Sequence, residues 1–468
     1  MNNTWDLIII GGGSAAFAAA IKANELERNT LLVNGGLPLG GTCVNVGCIP
    51  SKFLIRAAES IYHSSHSPFE GIESNKPKID FGKIIRQKKQ LVADMQKRKY
   101  TDLLSDLEFV TVVEGHVEFK DRNTVLVDNT EYKASKFIIA TGSTTAVPPI
   151  EGLNYVQYFT NDTLFDLEEQ PKSLIIIGAG YIGLEIAQAY NRFGTKVTIL
   201  EAMNSILSTE TEDITNELSN ILQEEGIDIL TGATIKRVWE EDAMIKVKFE
   251  PGGTSKQMEA SHILIATGRK ANTEKLRLDN AGIETVKKGY IKVNNQLQTN
   301  VSNIYAIGDV NTFPQFVYTA ASEGSIAVTN AFQGVENKIN FDALPWVVFT
   351  DPQVAGVGID EKTAEEKGIP YEITVLQLSE VPRSIVSLNT RGFIKLIKNP
   401  ETDLLLGARI IAPEGSELTM EISLAITYKI TIKELVDAFH PYLTLSEGIK
   451  LAAMSFTTDV KKMSCCAS

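Results

Sequence analysis

The sequence predicts an α/β fold made of two doubly wound units followed by a smaller α+β unit. Three observations carry that prediction. A buried run, Asp6 to Ile10, leads into Gly11-Gly12-Gly13-Ser14-Ala15-Ala16 and an alanine-rich stretch. A second run, Ser173 to Ile177, leads into Gly178-Ala179-Gly180-Tyr181-Ile182-Gly183. Each reads as strand, glycine turn and helix, where the glycines let the backbone approach a pyrophosphate held at the helix start. Each is followed later by a strand that ends Ala-Thr-Gly, at 140–142 and at 266–268. One such turn is a weak signal, but the repeat with its matching downstream strand implies two dinucleotide sites.

The order of elements follows from these anchors. The first unit spans residues 1–150 and closes on the proline-containing link V-P-P-I-E-G. The second spans 151–270. Residues 271–345 form a central segment containing N-I-Y-A-I-G-D, a strand whose Asp309 is placed to bind a sugar-like hydroxyl. From Trp346 the pattern changes: strands at Gly392 to Ile397 and Leu404 to Ile411 precede amphipathic helices, which predicts an α+β unit over 346–468.

Composition narrows the class of function. At 468 residues, with 43% apolar and 22% charged side chains, the chain is an ordinary globular protein of about three domains. A net charge of −13 argues against a nucleic-acid partner, which would need clustered Lys and Arg. The basic run from Arg86 to Tyr100 is the exception, and it reads as a solvated helix face. The N-terminus lacks a basic leader region, and no uncharged apolar run is long enough to span a membrane. Four cysteines are too few for a secreted disulfide scaffold and read as redox or metal-binding groups in a reducing cytoplasm.

Those cysteines come in two pairs with none between them. Cys43 and Cys48 share G-G-T-C-V-N-V-G-C-I-P-S-K, and Cys465 and Cys466 stand side by side in the terminal K-K-M-S-C-C-A-S. Adjacent thiolates on a terminus can capture a soft cation and carry it to a second pair. The alternative for the tail is a chance pair.

The motif C-V-N-V-G-C-I-P-S-K after a glycine turn, the second turn G-A-G-Y-I-G-L-E and the later A-I-G-D resemble the flavin-dependent disulfide reductases over nearly the whole chain. Within that group, S-C-C-A-S, F-V-Y-T-A-A, V-F-T-D-P-Q-V-A and H-P-Y-L-T-L-S-E-G are similar to the mercuric reductases. The resemblance implies FAD and NAD(P)H as cofactor and electron donor, a homodimer with shared active sites, and Hg(II), presented as a thiolate complex, reduced to Hg(0) in mercury detoxification. It implies that Cys43 and Cys48 form the redox-active disulfide, with Cys48 against the flavin and Cys43 toward the metal. Both cysteines are expected at the start of one helix continuing through Pro50-Ser51-Lys52, whose dipole lowers a thiol pKa. Cys43, Cys48, Cys465 and Cys466 are the implied metal ligands. Lys52 and Glu185 match an ion pair beside the flavin, and Tyr181 matches a tyrosine that covers the flavin until nicotinamide displaces it. Gly11, Gly13, Ala16, Asn34, Gly36, Gly41, Thr42, Lys52, Val117, Thr141, Gly142, Asp309 and Val317 are the implied FAD contacts. Gly178, Gly180, Gly183, Glu201 and Gly268 are those for NAD(P)H.

Departures from the family pattern matter. Thiol-exchanging relatives carry a histidine acid/base ahead of Leu-Ser-Glu; aligned on Thr444-Leu445-Ser446-Glu447, that position is Tyr442. A phenol is a poor proton shuttle at neutral pH, so Tyr442 and Glu447 fit metal reduction better than disulfide reduction. His440 lies two residues out of register and is expected to pack beside Pro441. The first strand begins at residue 6, which leaves no place ahead of it for the C-x-x-C metal-binding domain that many mercuric reductases carry. Asn34 stands where the family places an acidic residue at the end of the second strand. Glu201 ends the corresponding strand of the second unit, with no Lys or Arg before Lys236. A carboxylate there suits the ribose of NADH, whereas the family generally uses NADPH. A lipoamide- or glutathione-type disulfide reductase and a non-catalytic, metal-sequestering flavoprotein are the competing readings.

Overall fold

The computed structural model describes residues 4–462. The first strand, β1 (Thr4–Ile10), starts two residues before the sequence pattern suggests and feeds α1 (Ser14–Glu25), β2 (Thr30–Asn34), a five-residue helix α2 (Gly41–Asn45) and the long α3 (Cys48–Ser65). Helix α4 (Phe81–Gln96) follows, then β3 (Val110–Glu114), β4 (Val117–Asp121), β5 (Thr124–Val127), β6 (Thr130–Ile139) and the short β7 (Ser143–Thr145). These make a sheet ordered β3-β2-β1-β6-β5-β4, parallel from β3 to β6 and antiparallel beyond. Strand β1 lies in its middle. Leu7, Ile8 and Ile9 are fully buried, each contributing about 2 kcal/mol of burial, as expected of a parallel strand covered on both faces.

After the four-residue α5 (Asn161–Leu164), the second unit repeats the pattern: β8 (Ser173–Ile177), α6 (Tyr181–Phe193), β9 (Lys196–Leu200), α7 (Glu212–Glu224) and β10 (Asp228–Leu230). An antiparallel meander, β11 (Ala233–Glu241), β12 (Met244–Pro251) and β13 (Lys256–Ala260), leads to β14 (His262–Ile265), which completes a parallel sheet ordered β10-β9-β8-β14. Strand β15 (Arg269–Ala271) then pairs with β7 and returns the chain to the first unit. There β16 (Ile304–Ala306) pairs in parallel with β6, and α8 (Val317–Gln333) packs on α1.

The α1–α8 contact explains the alanine-rich stretch. Ala15, Ala16, Ala19, Ala20 and Ala23 face Ala320, Gly324 and Ala327, all small, so two backbones approach closely. A Cβ on Gly324 would lie 2.6 Å from Ala15 O and 2.8 Å from Ala19 N.

The C-terminal unit is α+β. Strands β17 (Trp346–Val348), β18 (Gln353–Gly358), β19 (Glu372–Gln377), β20 (Phe393–Lys398) and β21 (Leu405–Ala412) form an antiparallel sheet ordered β17-β18-β21-β20-β19. The short helices α9 (Glu361–Lys367) and α10 (Pro382–Val386) lie within it in sequence, and α11 (Gly415–Thr427), α12 (Ile432–Asp437) and α13 (Leu445–Met454) follow it. Among the described residues no helix is long and apolar enough to cross a membrane.

The three units meet at a buried charge cluster. Arg192 on α6 donates to Glu225 at 2.7 and 2.8 Å and to Asp351 at 2.9 Å, and its guanidinium lies 4.0 Å over the Tyr62 ring on α3. Arg391 adds a second cation, 3.3 Å from Glu225. The basic run also departs from a purely solvated face: Lys88 on α4 is buried and paired with Asp166 at 2.7 Å.

Replacing Gly324 with Val should force α1 and α8 apart. The expected cost is about 1–3 kcal/mol, the usual range for overpacking, read as a lower thermal midpoint of unfolding.

Candidate active site

The first glycine turn opens onto a cleft of about 450 Å³. Gly11 has φ +127°, and a Cβ there would lie 2.3 Å from Ala140 O, so only glycine lets the turn press against the end of β6. Helix α1 starts at Ser14 with no side-chain cap, leaving its first N–H groups directed out of the turn. Gly11, Gly13, Asn34, Gly36, Gly41, Thr42, Val117, Thr141 and Gly142 all line this cleft. Ala16 is fully buried beneath it in α1. Asp309 stands to one side, where Ser143 Oγ donates to its carboxylate at 3.1 Å. Lys52 and Val317 lie outside the lining, Val317 at the first position of α8. Asn34 spends its amide nitrogen on both carboxylate oxygens of Glu114, at 3.0 and 3.1 Å.

The cysteine loop is tied to this turn. Gly40 N donates to Gly12 O at 2.7 Å, and a Cβ on Gly41 would meet Gly13 Cα at 2.7 Å. Asn45 closes the loop from within, donating to Pro38 O and Gly41 O at 2.9 Å each. The two cysteines do not share a helix, contrary to expectation. Cys43 sits on α2, the chain breaks helical geometry at Val46 and Gly47, and only Cys48 begins α3. Glycine suits the break, because a Cβ on Gly47 would lie 2.9 Å from Thr42 O. Only Cys48 therefore gains from the dipole of a long helix.

Both cysteines are free, and their side chains are hydrogen-bonded to each other. A hydrogen bond from Cys43 lowers the Cys48 pKa to about 7 against the opposing effect of burial, with the Lys52 cation assisting. The same hydrogen bond, then burial and the Cys48 charge, push the Cys43 thiol far up. Cys48 is therefore the first of the two to ionise, with the Cys43 S–H as its hydrogen-bond donor.

Lys52 lies one helical turn past Cys48. Its ammonium is 2.7 Å from Glu185 on α6 and 4.5 Å from the centre of the Phe349 ring. Glu185 is buried and also accepts from Phe349 N at 3.0 Å. Tyr181 begins α6, tilted against Trp346 at 5.7 Å between ring centres, and burial followed by the Glu210 charge raises its pKa. Its phenol is thus neutral near pH 7.

Tyr100 belongs to this site and was missed in the sequence. Its ring would lie 3.0 Å from a Cβ on Gly40 and packs edge-on against Phe17 at 4.9 Å, and its hydroxyl is 3.3 Å from Ser14 Oγ. Burial raises its pKa, Ser14 opposes this, and the nearby Cys43 and Cys48 charges raise it further. It ends the basic run, so its neighbours in sequence masked it. A lone aromatic there carries no signal until α4 is docked.

The second glycine turn repeats the first in a tighter form. Gly178 has φ +108°, a Cβ there would lie 2.5 Å from Ala266 O, and one on Gly183 would lie 2.2 Å from Gly178 O. Gly180 faces open space, and Gly268, at φ +97°, ends the turn after β14. The Glu201 carboxylate folds back on the turn, accepting from Ala179 N at 2.6 Å and Met203 N at 2.8 Å.

In the C-terminal unit, Tyr442 is half exposed, beside a fully exposed Phe439. Glu447, buried, accepts from Leu443 N at 3.0 Å and so fixes the turn that carries Tyr442. His440 does more than pack beside Pro441: its Nε2 is 2.7 Å from Glu421, which also accepts from Ser446. These three residues lie apart from the cysteine pair within one chain. Cys465 and Cys466 lie outside the described residues.

The cleft fits FAD. Thr141 Oγ1 is buried in its wall with no hydrogen-bond partner among the described residues, and Gly36 and Gly142 hold positive φ with open space beside them. An unpaired hydroxyl and the uncapped start of α1 are the donors a pyrophosphate needs.

A family model described as pyridine nucleotide-disulphide oxidoreductase matches residues 5–324, and one for that family's dimerisation domain matches 344–453. The chain is 41% identical to the mercuric reductase of Staphylococcus aureus, covering 99% of this chain and 84% of that protein. It is 40% identical to the mercuric reductase of Streptomyces lividans, covering 99% of this chain and 98% of that one. Among solved structures, the HOCl-induced flavoprotein disulfide reductase RclA from Escherichia coli superposes with a TM-score of 0.87 at 29% identity, over 97% of this chain and all of that one.

Replacing Lys52 with Met removes the cation that helps hold the Cys48 thiolate. The thiolate forms above about pH 7 in the parent protein. Its titration, followed by ultraviolet absorbance of the reduced protein, should move up by about one unit in the variant.

Proposed function

The chain belongs to the pyridine nucleotide-disulphide oxidoreductase family, among its mercuric reductases, and from that membership we propose how its residues divide the reduction of Hg(II) to Hg(0). The family's C-terminal unit is a dimerisation domain, so the working molecule is a homodimer. NAD(P)H gives up two electrons and a proton, the metal takes the two electrons, and the proton is released. FAD, when bound, supplies the two-electron carrier between nicotinamide and sulfur. The remaining work falls to the protein.

One observation carries the reading: Cys43 and Cys48 are free and hydrogen-bonded to each other, with the Lys52 cation acting on Cys48. A soft divalent metal binds thiolates, and it must displace a single proton from Cys43 to gain two sulfur ligands. Cys48 is already charged and Lys52 stabilises it, so the pair is poised for a linear dithiolate. Lys52, anchored by Glu185 and Phe349, would place a positive charge next to the bound flavin. Tyr181 shields that edge until the donor arrives. Tyr442, reaching across from the partner subunit, and Tyr100 supply phenols that exclude water from the metal. Glu447 is a positioning residue for Tyr442. Cys465 and Cys466 pass Hg(II) from a thiolate complex in solution to Cys43 and Cys48. The reaction draws on reduced nicotinamide and free thiols, which assigns the protein to the cytoplasm.

A disulfide substrate would need a leaving thiolate protonated, and the position aligned with the relatives' acid/base histidine is Tyr442, a poor proton shuttle at neutral pH. Glu201 favours NADH: its carboxylate faces the turn that would hold the donor's ribose and repels a 2′-phosphate. The test is Hg(II)-dependent oxidation of NADH and of NADPH by the purified yellow protein, with volatile mercury measured in the headspace. Mercury release with NADH preferred is expected. No mercury release defeats the function, and a tenfold preference for NADPH in kcat/KM, about 1.4 kcal/mol, defeats the donor assignment alone.

A second experiment addresses the tail. Replacing Cys465 and Cys466 with Ala should slow turnover of Hg(II) supplied as a bulky dithiolate complex while sparing flavin reduction by the donor. Undiminished turnover would remove the delivery role.

A further inference from the structure

The two glycine turns meet a ribose with different chemistry, and the difference leads to a residue without an assigned role. In the second unit the residue after β9, Glu201, turns its carboxylate onto the turn through Ala179 N and Met203 N. In the first unit the corresponding side chain is Asn34. It lies against its own turn, where a Cβ on Gly12 would fall 2.2 Å from Asn34 Oδ1. An amide brings no charge to that place.

The charge lies one strand away. Glu114 ends β3 and is the register partner of Asn34 across the parallel β2–β3 pair. Asn34 Nδ2 donates to its two oxygens at 3.0 and 3.1 Å and approaches Leu37 O at 3.2 Å. A carboxylate and a carbonyl only accept, so the nitrogen is the amide atom that faces them. Asn34 Oδ1 is thereby left toward Gly12 and the cleft. Donating to a carboxylate also polarises an amide, which makes its oxygen a stronger acceptor.

We propose that Glu114 is a positioning residue of the first nucleotide site. It fixes Asn34 so that Oδ1 accepts a hydrogen bond from an adenosine ribose hydroxyl, and it supplies from β3 the negative charge that Glu201 supplies directly in the second unit. The inference rests on the reading of this cleft as the FAD site. Glu114 is solvent-exposed, so a neutral isostere is compatible with the fold.

The test uses holoenzyme loaded with FAD or with an FAD analogue lacking both hydroxyls of the adenosine ribose, with dissociation read from flavin fluorescence on dilution. Glu114→Gln should weaken FAD binding roughly tenfold while leaving the analogue's affinity unchanged. The pair Asn34→Glu with Glu114→Gln, which returns the carboxylate to the end of β2, should restore FAD affinity to within about threefold of the parent. Equal losses with both flavins, an unchanged FAD affinity in Glu114→Gln, or a double variant no better than the single one would overturn the proposal. A parent protein that retains no flavin would overturn the FAD reading of the cleft and this inference with it.

Discussion

A backbone hydrogen bond from Gly40 to Gly12, 2.7 Å long, holds the redox loop against the first glycine turn, and the rest of the site depends on it. The contact is possible because Gly12, Gly13, Gly40 and Gly41 present no side chains at the crossing. It brings the cleft, the cysteines and Tyr100 within one small volume, although Tyr100 is far from Cys43 in the chain. Moving this crossing by one residue would leave the fold standing and separate the nucleotide cleft from the sulfur pair.

Charge at the sulfur pair is then set from outside the loop. Cys43 supplies the hydrogen bond, Lys52 the cation, and Lys52 is itself held by Glu185 from the second unit and by Phe349 from the start of the third. The thiolate is an outcome of assembly: α3 alone would present a lysine free to turn into water. The hydrogen bond from Cys43 lowers the Cys48 pKa most, burial opposes it, and the Lys52 cation assists, so Cys48 is the more acidic of the pair.

Much of this was legible in the sequence. The glycine turns announce themselves because each glycine answers a local steric demand, as at Gly11 and Gly178, where a Cβ would strike a carbonyl of the neighbouring strand end. Lys52 lies four residues from Cys48, so a helix register is enough to place it. Tyr100 was not legible, because its role comes from how α4 and the turn after it dock, and a basic run hides it. Glu114 was hidden for a related reason: strand register pairs it with Asn34 across 80 residues of chain, and neither residue reports the other. The separate helix under Cys43 escaped because the break at Val46 and Gly47 is a backbone conformation that the C-V-N-V-G-C pattern does not announce. His440 was read as packing alone because its partner Glu421 comes from a helix that a local motif does not show.

The buried cluster of Arg192, Glu225, Asp351 and Arg391 has a bearing on how the molecule comes apart. Each unit brings one cation and one anion, Arg192 and Glu225 from the second and Asp351 and Arg391 from the third, and they also pair across the seam, while the Tyr62 ring from the first lies across the arginine. Pulling the units apart would break the Arg192–Asp351 and Arg391–Glu225 contacts together and open a closely packed seam to water. Cleavage in a surface loop would therefore yield nicked chains that stay together, and unfolding would proceed as one concerted event rather than unit by unit.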